Sequence, residues 1–93
     1  MGLFNKAGDI GTAARMLHVR NSLGYAQSVM AAKCDVSDST YKNYERARRE
    51  PTVSFALKFC ENFDVDIAWL LQGKGEPKSE YRDERYQKSA SED

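Results

Sequence analysis

An all-α fold without a sheet is predicted by three features of the sequence. Apolar residues recur at intervals of three and four, the spacing of one face of an α-helix. Glycine, proline and short polar residues punctuate that pattern where helices start and stop. No stretch alternates apolar and polar residues with period two, as a half-buried strand would. Five helices fit the pattern, packed as one compact bundle, because 93 residues supply one modest core.

The first helix is expected over about residues 11–23, with Thr12, Met16, Val19 and Leu23 on its apolar face. Gly24 ends it in the left-handed conformation. A second, short helix follows over about 27–34, where Met30, Ala31 and Cys34 share a face and small alanines allow another helix close. Asp35-Val36-Ser37 reads as a tight turn, since Asp tolerates the left-handed region and the Ser37 hydroxyl can accept a backbone N–H as an N-cap. The third helix, residues 37–47, turns Thr40, Tyr41 and Tyr44 inward, which completes a helix-turn-helix unit.

Glu50-Pro51-Thr52 breaks the chain before a fourth helix at about 52–63. Its candidates for burial are Val53, Ala56, Leu57, Cys60 and Phe63. That choice leaves Phe55 and Phe59 as a patch suited to self-association if they lie off the inner face. Asp66 caps a last helix, 67–71, which carries Trp69, and Gly73 and Gly75 stop it. The chain is thus expected to divide into an N-terminal arm (1–9) whose Leu3 and Phe4 tuck onto the body, a domain (10–75), and a charged tail (76–93). The tail holds only Tyr81 and Tyr86 as large apolar groups, too little burial to offset ordering entropy. It is expected to be disordered, or to become helical from a Ser79 cap on meeting a partner protein or a second subunit.

Composition excludes several function classes. Apolar content of 41% rules out a wholly disordered chain, and no apolar run approaches the ~18 residues of a membrane span. The first residues lack the apolar core of a signal peptide, and Lys6 stands where a myristoylation motif needs Ser or Thr, so a cytoplasmic protein is expected. Cys34 and Cys60 are two thiols at helix-face positions and read as core residues. His18 has no metal-ligating neighbours in sequence, and Asp64 and Asp66 fall at a loop and a cap. With no nucleophile–base pair and no Gly-rich phosphate loop, no enzyme, cofactor or metal is expected. Fourteen basic and fourteen acidic residues cancel. The charge is nonetheless uneven: Lys42, Arg46, Arg48 and Arg49 cluster, opposed within the stretch by Glu45.

The run from Tyr25 to Arg46 resembles the helix-turn-helix of the Cro/CI (lambda-repressor-like, XRE-type) family. Gln27, Ala31, Asp35-Val36-Ser37, Ser39-Thr40, Tyr44 and Glu45 stand at the family's spacing. The resemblance continues through Arg48-Arg49-Glu50-Pro51 and through the segment from Val65 to Gly73, similar to the closing helix of phage repressor domains. It implies a five-helix bundle that binds a double-stranded DNA operator as a homodimer, with two recognition helices about 34 Å apart on a near-palindromic site. It also implies that Gln27 contacts a phosphate, and that Arg20 and Glu45 form a structural ion pair between helices one and three. Three positions depart from the pattern. Asp35 and Ala47 replace the usual glycines, which leads one to expect a looser turn and a longer third helix. Ala26 replaces a Ser or Thr cap, at a cost of about 1 kcal/mol.

Under that reading the leading edge of helix three meets base edges in the major groove. Ser37, Asp38 and Ser39 stand there, with Lys42 one turn on. Ionised Asp38 only accepts hydrogen bonds, which suits the amino group of cytosine, and Lys42 reaches guanine or a phosphate. Asp38 and Lys42 are therefore expected to set specificity, while Asn43, Arg46, Arg48 and Arg49 clamp the backbone. The expected function is a phage- or prophage-type repressor, either a short regulator or part of a longer chain. The alternatives are an antitoxin-type regulator whose tail wraps a protein partner, and an interaction module that has lost groove reading, favoured by Asp38 and zero net charge.

Overall fold

The computed structural model describes residues 10–77, so the expected arm (1–9) and the tail beyond Pro77 lie outside the described residues. Five helices follow in order: α1 Ile10–Leu23, α2 Gln27–Lys33, α3 Asp38–Glu45, α4 Val53–Phe63 and α5 Ile67–Gln72. α2 packs on α3, α1 on α3 and α5, and α4 on α5. No sheet forms among the described residues. An Asp66 N–H bond to the Pro77 carbonyl, 2.8 Å, folds the chain after Gly75 back across the α4–α5 junction.

Each helix sends a side chain to the same core. Met16 of α1, Met30 of α2, Tyr41 of α3, Phe59 of α4 and Leu70 of α5 are fully buried. Aromatic rings knit α3 to α4, with Tyr44 and Phe55 centroids 4.7 Å apart and tilted. Outside the core, the Asn62 side-chain N–H donates to the Lys33 carbonyl, and Lys58 pairs with Asp35 at 3.1 Å. Both tie α4 to the end of α2. Arg15 Nε donates to the Leu70 carbonyl at 2.9 Å, which satisfies one of the open carbonyls of α5.

The inner face of α4 differs from the sequence expectation. Phe55 and Phe59 are buried at 2% and 0% exposure, while Val53 and Leu57 stand out at 71% and 55%. Apolar residues occupy most of this helix, so spacing alone admits two rotations about its axis. The one that buries two phenyl rings removes more apolar surface from water and wins. The condition for a self-association patch at Phe55 and Phe59, that they lie off the inner face, is therefore not met. Leu23, expected on the inner face of α1, is its last residue and is 41% exposed.

Helix ends show a common device. α1, α2, α3 and α4 each close through a left-handed residue, Gly24, Asp35, Ala47 and Asp64 respectively, followed by an N–H that reaches back five residues. The returning bonds are Tyr25 to Arg20, Val36 to Ala31, Arg48 to Asn43 and Val65 to Cys60, between 2.8 and 3.4 Å. This is the Schellman closure, normally built on glycine. The expectation that Ala47 would let α3 run on is overturned: Ala47 has φ 61° and α3 ends at Glu45. Likewise Asp35 (φ 64°) makes the α2–α3 turn as tight as glycine would. N-terminal caps are side chains of Ser37, Thr52 and Asp66, whereas Ala26 offers none to α2.

Ala47 is the strained member, because alanine lacks the local hydrogen bonding that helps Asp into this region. Ala47→Gly should therefore stabilise the fold by about 0.5–1 kcal/mol, once the extra flexibility of unfolded glycine is subtracted. Thermal denaturation should show a rise in Tm of about 2–8 °C. A fall would mean that the alanine methyl is not strained.

Candidate nucleic-acid interface

The unit α2–turn–α3 presents one side of α3 to solvent. At 100° per residue, Tyr41 and Tyr44 define the buried side. Ser39, Lys42, Asn43 and Arg46 then lie on the opposite side, and Asp38 projects from the first turn. Asp38, Ser39 and Arg46 are exposed, and Lys42 and Asn43 half-buried. A row of polar side chains on a protruding helix matches the width and hydrogen-bonding pattern of a major groove.

Ser37 stands differently from its neighbours. Its hydroxyl accepts from the Thr40 N–H at 3.0 Å and donates to Thr40 Oγ1 at 2.9 Å. The hydroxyl's single donor and one of its two acceptor sites are spent on capping α3, so exposed Ser37 keeps one acceptor site beside the free groups of Asp38 and Ser39.

The basic loop after α3 is held, not slack. Once Ala47 reverses the chain, the N–H groups of Arg48 and Arg49 both donate to the Asn43 carbonyl, at 2.8 and 3.2 Å. Their side chains remain exposed beside Arg46. Within residues 38–50, Lys42, Arg46, Arg48 and Arg49 face two exposed acids, Asp38 and Glu50, because Glu45 is internally neutralised. The surface is positive although the chain is not.

Behind this face, Glu45 joins three helices. Arg20 of α1 grips it with Nε (2.9 Å to Oε2) and Nη2 (3.0 Å to Oε1), a bidentate pair. Tyr41 donates its hydroxyl at 2.7 Å, and Gln27 of α2 donates from Nε2 at 2.8 Å. Burial would push the Glu45 carboxyl up, but the bonds from Arg20, Tyr41 and Gln27 outweigh it and hold it below the ordinary range. The hydrogen bond to Glu45 raises Arg20 in turn, against a smaller desolvation effect. Burial, reinforced by the negative Glu45, raises the Tyr41 phenol, so it stays a donor. Burial also pushes the Cys34 thiol up to about 11, which leaves it unreactive in the core.

The resemblance paired Arg20 with Glu45 and set Gln27 apart at a phosphate; in the structure Arg20 and Glu45 are paired, and Gln27 bonds the same carboxylate. The sequence reading missed Tyr41 as a polar member, having read it as core; the signal was a tyrosine four residues before a glutamate on one helix. No helix among the described residues is long and apolar enough to cross a membrane.

Fold and site together define a helix-turn-helix protein. The helix-turn-helix family model (HTH_3) matches residues 18–70, more than half of the chain, and the chain belongs to that family. This agrees with the Cro/CI resemblance read from the motif. Among curated proteins it is similar to the HTH-type transcriptional regulator ImmR of Bacillus subtilis, at 34% identity over 62 residues. That match covers 67% of this chain and 48% of ImmR, so the chain spans about half the length of that relative. Among solved structures it is similar to the N-terminal DNA binding domain of SinR from Bacillus subtilis, with 30% identity and a TM-score of 0.63. There the match covers 70% of this chain and 96% of the SinR domain. The SinR/SinI complex shares the fold, with TM-score 0.63 and 24% identity over 87% of this chain and 80% of that one.

Proposed function

We propose that this chain is a transcriptional regulator that reads double-stranded DNA by inserting α3 into the major groove. The observation that carries the reading is the outward row of Asp38, Ser39, Lys42, Asn43 and Arg46, opposite the buried tyrosines and flanked by the tethered Arg48 and Arg49. The names of its relatives support it: ImmR is a transcriptional regulator and the SinR domain is a DNA-binding one. Gln27 at the first turn of α2 meets a phosphate on one side of the groove, and Arg46, Arg48 and Arg49 meet the backbone on the other. Asn43, on the outer side of α3, is placed to reach either the backbone or a base edge. The chain acts as a homodimer on a near-palindromic operator, as a repressor of the phage or prophage type, in the cytoplasm.

Selection of bound sequences from a random duplex pool, followed by gel shift and mass measurement of the complex, tests the reading. A palindromic consensus bound by two chains supports it, and failure to enrich any sequence overturns it. Asp38→Ala supplies a sharper check. Losing the acceptor should relax a cytosine preference worth about 1–3 kcal/mol at one base pair. The same change should tighten binding to random duplex, because an acid near the phosphates is removed. An unchanged consensus would assign specificity to Ser39, Lys42 and Asn43 alone.

A further inference from the structure

Tyr41 is fully buried, yet its hydroxyl is not an idle attachment to a core ring. It donates to Glu45 Oε2 at 2.7 Å, and Glu45 Oε1 in turn accepts from Gln27 Nε2 at 2.8 Å. The Gln27 amide has two chemically different ends, a nitrogen that donates and an oxygen that accepts. Only the nitrogen can face an ionised carboxylate, so Glu45 decides which way the amide is turned. One N–H of that nitrogen is then committed to Glu45. The other has no further partner among the described residues, and Gln27 is half-buried at the edge of the proposed DNA face. With the amide reversed, the Gln27 carbonyl oxygen would replace the amino group at that edge and meet a phosphate with like partial charge.

We propose that Tyr41 is a positioning residue for DNA binding: by fixing Glu45 it holds the Gln27 amide with its spare N–H turned to the phosphate. The chain of contacts runs from the core to the surface through three side chains on two helices, α3 and α2. Arg20 holds Glu45 from α1 through both of its oxygens. The phenol adds the bond that fixes the carboxylate against rotation about the arginine, because it approaches Oε2 from within α3 itself. This inference rests on the proposed DNA binding.

The test is a double-mutant cycle, with affinity for a short random-sequence duplex measured by fluorescence anisotropy at fixed low salt. Tyr41→Phe keeps the ring and removes the donor. It should weaken binding about three- to tenfold, the range for one hydrogen bond. Gln27→Ala should weaken it by at least as much, and the double variant should bind like Gln27→Ala alone. The slope of log affinity against log salt should stay unchanged in all three, since no charge is lost. Asp66→Ala, which uncaps α5 far from this cluster, controls for loss of stability and should bind like the parent. Multiplying effects in the double variant, or parental affinity in Tyr41→Phe, overturns the proposal. Should Tyr41→Phe fail to fold, the side-chain amide resonances of Gln27 in the unaltered protein decide. They should shift on adding duplex, and fixed resonances overturn it. If the parent binds no duplex, the DNA reading itself fails; if it binds and the cycle is additive, only the role of Tyr41 does.

Discussion

Replacing Glu45 with alanine is expected to lower the stability of the fold by about 3–5 kcal/mol, the range for removing one member of a buried ion pair. Its side chain is 4% exposed and that of Arg20 20%, so its loss leaves Arg20 with only the Tyr25 carbonyl and leaves the Tyr41 hydroxyl without an acceptor in the core. In a domain of this size that corresponds to a fall in Tm of about 12–40 °C by calorimetry. A loss below about 1 kcal/mol would mean that water reaches the cluster. The pH dependence has a defined sign. Folded Glu45 titrates below its ordinary value of 4.5, so its contribution is complete above that pH and is lost as pH falls through the lower folded value. Glu45→Gln cannot ionise. It should be less stable than the parent at neutral pH and flatter in acid.

Exchanging Lys42, Arg48 and Arg49 together for alanine is expected to leave the fold intact and to cut DNA affinity about a thousandfold at low salt. Three charge-assisted contacts at about 1.4 kcal/mol each give that figure. The fold survives because Arg48 and Arg49 support it through backbone N–H groups, which alanine retains. Salt dependence separates the roles. If all three side chains meet phosphates, the slope falls by about 2.7, and if Lys42 meets a base edge instead, by about 1.8. Parental affinity in a folded triple variant would leave α3 without the docking assigned to it.

Much of this architecture was legible in the residues. Helix count, the Asp35 turn, the caps at Ser37 and Asp66 and the inward Tyr41 and Tyr44 follow from spacing and from backbone preferences that are local. α4 was not legible, because apolar residues surround most of its axis and only packing against Tyr44 chooses the face. The end of α3 was misread because alanine carries no signal for the left-handed region; the bond from Arg48 to Asn43 imposes it. At the candidate interface the charges were visible, whereas the bond from Ser37 to the Thr40 hydroxyl and the link from Tyr41 to Gln27 depend on distances no sequence displays.

Four successive helices, α1 to α4, each reverse on a single left-handed residue with no slack segment between the helix and its reversal. Such joints are intolerant of changes in length. One residue added within α3 would rotate everything after it by about 100°, swinging Asn43 and Arg46 away from the groove side and a tyrosine out of the interior. Variation among proteins of this build should therefore proceed by exchanging side chains at constant register, which leaves the surface of α3 free to acquire new targets while the scaffold beneath it stands still.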